Sequence, residues 1–130
     1  SIQIEFSKNL ETIVLNSDKE QISRVFFNLI KNSIESIQQK AENDSKFNKK
    51  ITIELSEIDD HIYIVIVDSG IGFSKVSSNI KDILNPYFTT KKNGTGLGLS
   101  IVNKIISDHN GKIDFVPISD GAKIKIDFVK

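Results

Sequence analysis

Residues 62–72 read Ile62-Tyr63-Ile64-Val65-Ile66-Val67-Asp68-Ser69-Gly70-Ile71-Gly72. The run from Ile62 to Val67 is apolar on both faces, as a buried central strand requires. It ends on a carboxylate followed by two glycines, which permit a tight turn or the close approach of another group. A carboxylate at a strand end can accept a hydrogen bond from an exocyclic amine such as that of adenine. An ordinary Asp-Gly type of turn explains this segment equally well when it is read alone.

Working outward, Ile51, Ile53 and Leu55 alternate with polar residues, and Asp59-Asp60 supplies a turn, so the central strand is one arm of a hairpin. Upstream, Ile2, Ile4 and Phe6 alternate as a strand, and Thr12–Leu15 reads as a second strand completing an edge hairpin. Ser17 with Glu20 fits a capping box opening a helix from Gln21 to about Lys40. Ala41–Lys50 reads as a loop. Downstream, 68–93 reads as a mobile functional loop with a short helix at 79–84 ahead of Asn85-Pro86. Leu97, Ile101, Val102, Ile105 and Ile106 place a second helix over Thr95–Asp108, closed by Asn110-Gly111. Ile113–Val116 and Ile124–Val129, joined around Ser119-Asp120-Gly121, form a closing hairpin. These elements predict an α+β chain, a two-layer α/β sandwich with a mixed, mostly antiparallel sheet and helices on one face.

Composition narrows the function classes. Lysine plus arginine and aspartate plus glutamate both number 17, so no net field favours nucleic acid or an anionic membrane. The absence of cysteine excludes disulfides and thiolate metal sites, and His61 and His109 are too far apart for a local metal motif. A bound metal would therefore be held by oxygen. The longest apolar run is far short of the roughly 20 residues that cross a bilayer. Without a methionine anywhere, the chain reads as a single-domain fragment, 1–130, of a longer protein.

On the first helix, advancing about 100° per residue from Asn28 groups Arg24, Lys31, Asn32 and Glu35 on one polar face. Phe26, Leu29, Ile30, Ser33, Ile34 and Ile37 fall on the packing side, flanked by Phe27. Simple solvation explains most polar helix faces. Asparagines at i and i+4, however, are poor helix formers without ion-pairing capacity, whereas an amide oxygen suits a hydrated magnesium ion. Ahead of the second helix, Gly94-Thr95-Gly96-Leu97-Gly98-Leu99 can offer backbone amides and a positive helix end to phosphate. It lacks the Gly-Lys-Ser/Thr ending of a P-loop and the preceding strand of a dinucleotide fold.

Taken in order, Asn28-Leu29-Ile30-Lys31-Asn32-Ser33-Ile34-Glu35-Ser36, Asp68-Ser69-Gly70-Ile71-Gly72-Phe73, Pro86-Tyr87-Phe88-Thr89-Thr90-Lys91 and Gly94–Leu99 resemble the N, G1, F and G2 boxes of bacterial sensor histidine kinases. The resemblance covers nearly the whole chain and extends to the Bergerat-type ATPases, with wording most similar to nitrogen-regulation kinases of the NtrB/NtrY type. It implies that Asn32 coordinates Mg2+ and that Asn28 and Lys31 lie beside the phosphates of ATP. It also implies that Asp68 reads the adenine amine while Gly70, Gly72 and Phe73 shape the base site. Thr89, Thr90 and Lys91 would belong to the lid, and Gly94, Thr95, Gly96, Leu97, Gly98 and Leu99 to the phosphate loop and the second helix.

Two positions depart from the family pattern. Glu35 stands where many such kinases carry a phosphate-neutralising lysine, leaving Lys31, Lys91 and Lys92 as the available cations. Asn28 stands where hydrolysing relatives carry a water-activating glutamate, so net hydrolysis should be slow. Glu35 reads either as a substitute base or as a solvated partner of Lys31. By resemblance, the catalytic set is Asn28, Glu35 and Lys91. Partners implied are a histidine-bearing dimerisation domain of the same homodimeric protein and a downstream response regulator, with the domain cytoplasmic and the full protein anchored to the inner membrane or not. His61 and His109 read as surface or capping residues rather than the phosphate acceptor. Two alternatives remain, a nucleotide-binding regulatory module without transfer activity and a stand-alone anti-sigma-type serine kinase.

Overall fold

The computed structural model describes residues 2–9, 13, 15, 17–44, 46–72, 98–116 and 118–130. Strands β1 (Gln3–Lys8), β2 (Lys50–Ile58), β3 (His61–Asp68), β4 (Gly111–Val116) and β5 (Ala122–Val129) form one sheet in the order β1-β2-β3-β5-β4. Helices α1 (Lys19–Ala41) and α2 (Gly98–Asp108) complete the described elements. The β2–β3, β3–β5 and β5–β4 pairs are antiparallel and β1–β2 is parallel.

Register explains why these sequences assemble. Ile53, Ile66, Ile124 and Phe115 stand side by side across four strands, and Leu55, Ile64, Ile126 and Ile113 form the next row. Each row presents large apolar residues to one face, where Val25, Leu29 and Ile37 of α1 and Val102, Ile105 and Ile106 of α2 close the core. Burying a side chain such as Leu29 contributes about 2 kcal/mol.

Several sequence expectations are corrected here. The opening strand exists, and the hairpin expected with 12–15 lies largely outside the described residues. Ile13 and Leu15 lie in no strand, Thr12 and Val14 are outside the described residues, and β1 joins β2 in parallel through the α1 crossover. The cap of α1 is Asp18 rather than Ser17, its carboxylate accepting from the backbone of Glu20 (3.0 Å) and Gln21 (3.3 Å). β3 is fully buried on one face only. Tyr63, Val65 and Val67 are half-buried on the other, where the Lys125 ammonium lies 4.8 Å from the Tyr63 ring centre. The packing face of α1 is centred on Val25, Leu29, Ser33 and Ile37, with Phe26, Ile30 and Ile34 half-buried and Phe27 65% exposed. The helix expected at 79–84, and the loop reading from 73 onward, lie outside the described residues.

The turns follow their chemistry. Asp59 and Asp60 adopt φ of 49° and 63°, a left-handed pair that matches the twist of a tight hairpin. Asn110, at φ 59°, ends α2 as expected. The two helices are tied by His109, whose Nε2 accepts from the Asp18 N–H at 3.1 Å while Nδ1 meets the Ile105 carbonyl at 2.8 Å. An amide can only donate, so the imidazole is the Nδ1–H tautomer and bridges the end of α2 to the start of α1.

Candidate functional site

Asp68 closes β3 on the core side, in register with Ile51 on one neighbour and Ala122 on the other. It is 5% exposed, one of two buried polar side chains among the described residues, the other being Ser33 at 2%. Burial pushes the Asp68 carboxyl above the usual carboxylate range. Hydrogen bonds from the Gly70 N–H, the Ser33 hydroxyl and the Ala122 N–H, with the Lys40 charge, oppose that shift. The Gly70 bond is 2.9 Å to Oδ1.

The turn after Asp68 is held on both sides. Ser69 exchanges bonds with Lys50, N–H to carbonyl at 3.1 Å and hydroxyl from the Lys50 N–H at 2.9 Å. Lys40 donates to the Ser69 carbonyl at 3.2 Å while its ammonium sits 4.5 Å from the Phe47 ring centre. Ser36 accepts from the Ile71 N–H at 3.0 Å. Glycine is required at 70, because a Cβ there would fall 2.1 Å from Ser36 Oγ. Gly121 packs so tightly that a Cβ would lie 1.9 Å from the Asp68 carbonyl oxygen, and its φ is +91°.

Farther along α1, Asn28 and Asn32 face the first residue of α2. A Cβ added at Gly98 would lie 3.8 Å from Asn28 Oδ1 and 3.9 Å from Asn32 Nδ2, ordinary contact with room to spare. The first residue of an 11-residue helix thus meets two side-chain amides. Lys31 and Glu35 approach to 4.0 Å with side chains 59% and 31% exposed, a pair of little energetic weight. They rim a shallow surface groove floored by Phe27, Ile30 and Ile34.

The structure therefore sets Asp68 and Gly70 against the stretch of α1 from Ser33 to Lys40, places Asn28 and Asn32 in mid-helix beside Gly98 at the start of α2, with Leu99 next in that helix, and packs Gly72 against Gly121. Phe73, Thr89, Thr90, Lys91, Gly94, Thr95, Gly96 and Leu97 are outside the described residues. Sequence reasoning assigned no site role to Ser33, Ser36 or Lys40. Ser33 carried the legible signal, a hydroxyl on the apolar face of an amphipathic helix. No group of three or more His, Asp or Glu is gathered for a metal among the described residues; an amide oxygen, such as those Asn28 and Asn32 carry, is of a donor type that hard cations accept.

Comparison with known proteins shows the family. Residues 17–129 match the family described as histidine kinase-, DNA gyrase B-, and HSP90-like ATPase. The nitrogen regulation protein NtrY of Azorhizobium caulinodans is 34% identical over 111 residues, covering 84% of this chain and 14% of that protein. Sporulation kinase A of Bacillus subtilis is 36% identical over 132 residues, covering 99% of this chain and 20% of the kinase. The solved catalytic domain of histidine kinase ThkA, nucleotide free, superposes with TM-score 0.81 at 31% identity, covering 99% of this chain and 79% of that one. ThkA in complex with the response regulator TrrA matches at TM-score 0.75 and 27% identity, covering 99% of this chain and 34% of that one.

The fold and the family match define a catalytic ATPase domain of the histidine-kinase class. The chain belongs to the histidine kinase-, DNA gyrase B- and HSP90-like ATPase family, and its relatives within it are sensor histidine kinases. It spans 14% and 20% of the lengths of the two relatives quoted.

Proposed function

We propose that this chain, a single domain of a longer sensor kinase, binds Mg-ATP and presents the γ-phosphoryl group to a histidine on a separate dimerisation domain of the same protein. The observation that carries this reading is the buried Asp68 carboxylate, set at a strand end beside Gly70 on a face otherwise built of apolar residues. An acceptor placed there is suited to the 6-amino group of adenine, with Gly70 and Gly72 assigned to the base site by resemblance. Asn32 would hold Mg2+, which neutralises phosphate charge when bound, and Asn28 and Lys31 would flank the phosphates. Gly98 and Leu99 open α2, and the positive end of a helix suits an anion. Phe73, Thr89, Thr90, Lys91, Gly94, Thr95, Gly96 and Leu97 complete the assigned set by resemblance.

An amide at position 28 cannot take a proton from water, which favours transfer to an acceptor over hydrolysis. Positioning and charge stabilisation are then what the domain supplies. Lys91 is assigned to the transferring phosphate. Glu35, already within reach of Lys31, is assigned a catalytic role only if its removal slows transfer without weakening binding. The full protein is read as a homodimer that passes its phosphate to a response regulator. No described helix is long and apolar enough to cross a membrane, and the domain is assigned to the cytoplasm.

Mixing the chain with labelled Mg-ATP and a histidine-bearing dimerisation fragment of a sensor kinase tests the transfer. The expected product is a phosphate stable to alkali and labile to acid. An acid-stable label on a small partner protein would instead favour the serine-kinase alternative, and nucleotide binding without transfer the regulatory module.

A further inference from the structure

We propose that Ser33 is a positioning residue that holds Asp68 as an acceptor and thereby makes the site select a 6-amino purine over a 6-oxo purine. The inference rests on the nucleotide reading above and deepens it. Ser33 sits in the middle of α1, between Leu29 and Ile37, both 0% exposed, so its backbone is fixed by core packing. At 2% exposure its hydroxyl has no access to bulk water, and it donates to the Asp68 carboxylate. No buried side-chain nitrogen or oxygen among the described residues lacks a partner, and the Ser33–Asp68 bond joins the two buried polar side chains to one another.

The consequence is chemical. An ionised carboxylate accepts from an amine but repels a carbonyl oxygen, whereas a protonated carboxyl can donate to that oxygen. Discrimination between the two bases therefore depends on keeping Asp68 unprotonated. The groups that do so are few. α1 contributes the Ser33 hydroxyl and the Lys40 charge, and the turn and β5 contribute the N–H groups of Gly70 and Ala122. The neighbouring β2 residue, Ile51, contributes nothing polar. The backbone donors cannot be removed by substitution and Lys40 acts at a distance, so Ser33 is the side chain through which selectivity is set.

The test compares ATP with inosine triphosphate, whose 6-position is oxo, on wild type and Ser33→Ala by calorimetric titration from pH 5.5 to 8. Wild type is expected to prefer ATP across the upper part of the range. Losing a hydrogen bond to a charged group should weaken ATP binding about tenfold near pH 7. The ATP preference should narrow by a similar factor, and the pH at which ATP affinity begins to fall should move upward. An equal loss for both triphosphates, with ratio and pH profile unchanged, would overturn the proposal and leave Ser33 a packing residue. So would a Ser33→Ala profile identical to wild type. Wild type binding neither triphosphate would overturn the nucleotide reading itself, a result distinguishable from both.

Discussion

A carboxylate at a core position of the central strand costs stability that an apolar residue would not, and Asp68 occupies such a position. Its folded pKa is raised, chiefly by burial, above the unfolded value. Between those two values the native state binds more protons than the unfolded one, so stability contributed at this site falls as pH rises through that window. Asp68→Asn should accordingly stabilise the nucleotide-free chain near pH 7, with the advantage vanishing below the unfolded pKa, as urea titrations at several pH values would report. For ATP the sign reverses, because the amine needs the ionised acceptor. Affinity should fall on acidification through the raised Asp68 pKa, and Asp68→Asn should remove that part of the pH dependence in calorimetric titrations. The place of Asp68 at the end of the central strand was legible in sequence, as a carboxylate closing an apolar run ahead of glycines. The bonds that support it were not, because Ser33, Lys40 and Ala122 are brought to it only by folding.

At the scale of elements, periodicity carried most of the information. α1, α2, the β2–β3 hairpin and the β4–β5 hairpin follow from apolar spacing that switches between 3.6 and 2. Pairing of β1 was not legible, because a strand followed closely by alternating residues suggests a local hairpin, whereas its partner β2 lies beyond α1. The α1 cap fell one residue from expectation since Ser17 and Asp18 are both good caps and only geometry selects between them. Asp18→Ala should cost about 1 kcal/mol by removing acceptors for two helix N–H groups, measurable by chemical denaturation. His109→Ala should cost a similar amount by releasing the end of α2 from the start of α1. Gly121→Ala meets both a clash with the Asp68 carbonyl and a left-handed φ, and should destabilise by about 3 kcal/mol, lowering the melting temperature by about 10 °C.

At the scale of the molecule, a one-sided sheet leaves α1 and α2 as a single layer, and the site lies where that layer meets the carboxyl end of β3. The antiparallel helices put the start of α2 beside Asn28 and Asn32, so base recognition and phosphate binding fall to two ends of one stretch of α1. Residues far apart in sequence converge there, which is why four separate motifs were needed to recognise the site. The most direct test of this division is thermal unfolding of wild type, Asp68→Ala and Asn32→Ala with ATP, with and without magnesium. Ligand at about 100 times its dissociation constant should stabilise wild type by about 2.7 kcal/mol. Asp68→Ala should lose the whole shift and Asn32→Ala only its magnesium-dependent part. A wild-type chain whose melting temperature does not move with any adenine nucleotide, or an Asp68→Ala chain that shifts as wild type does, would contradict the account.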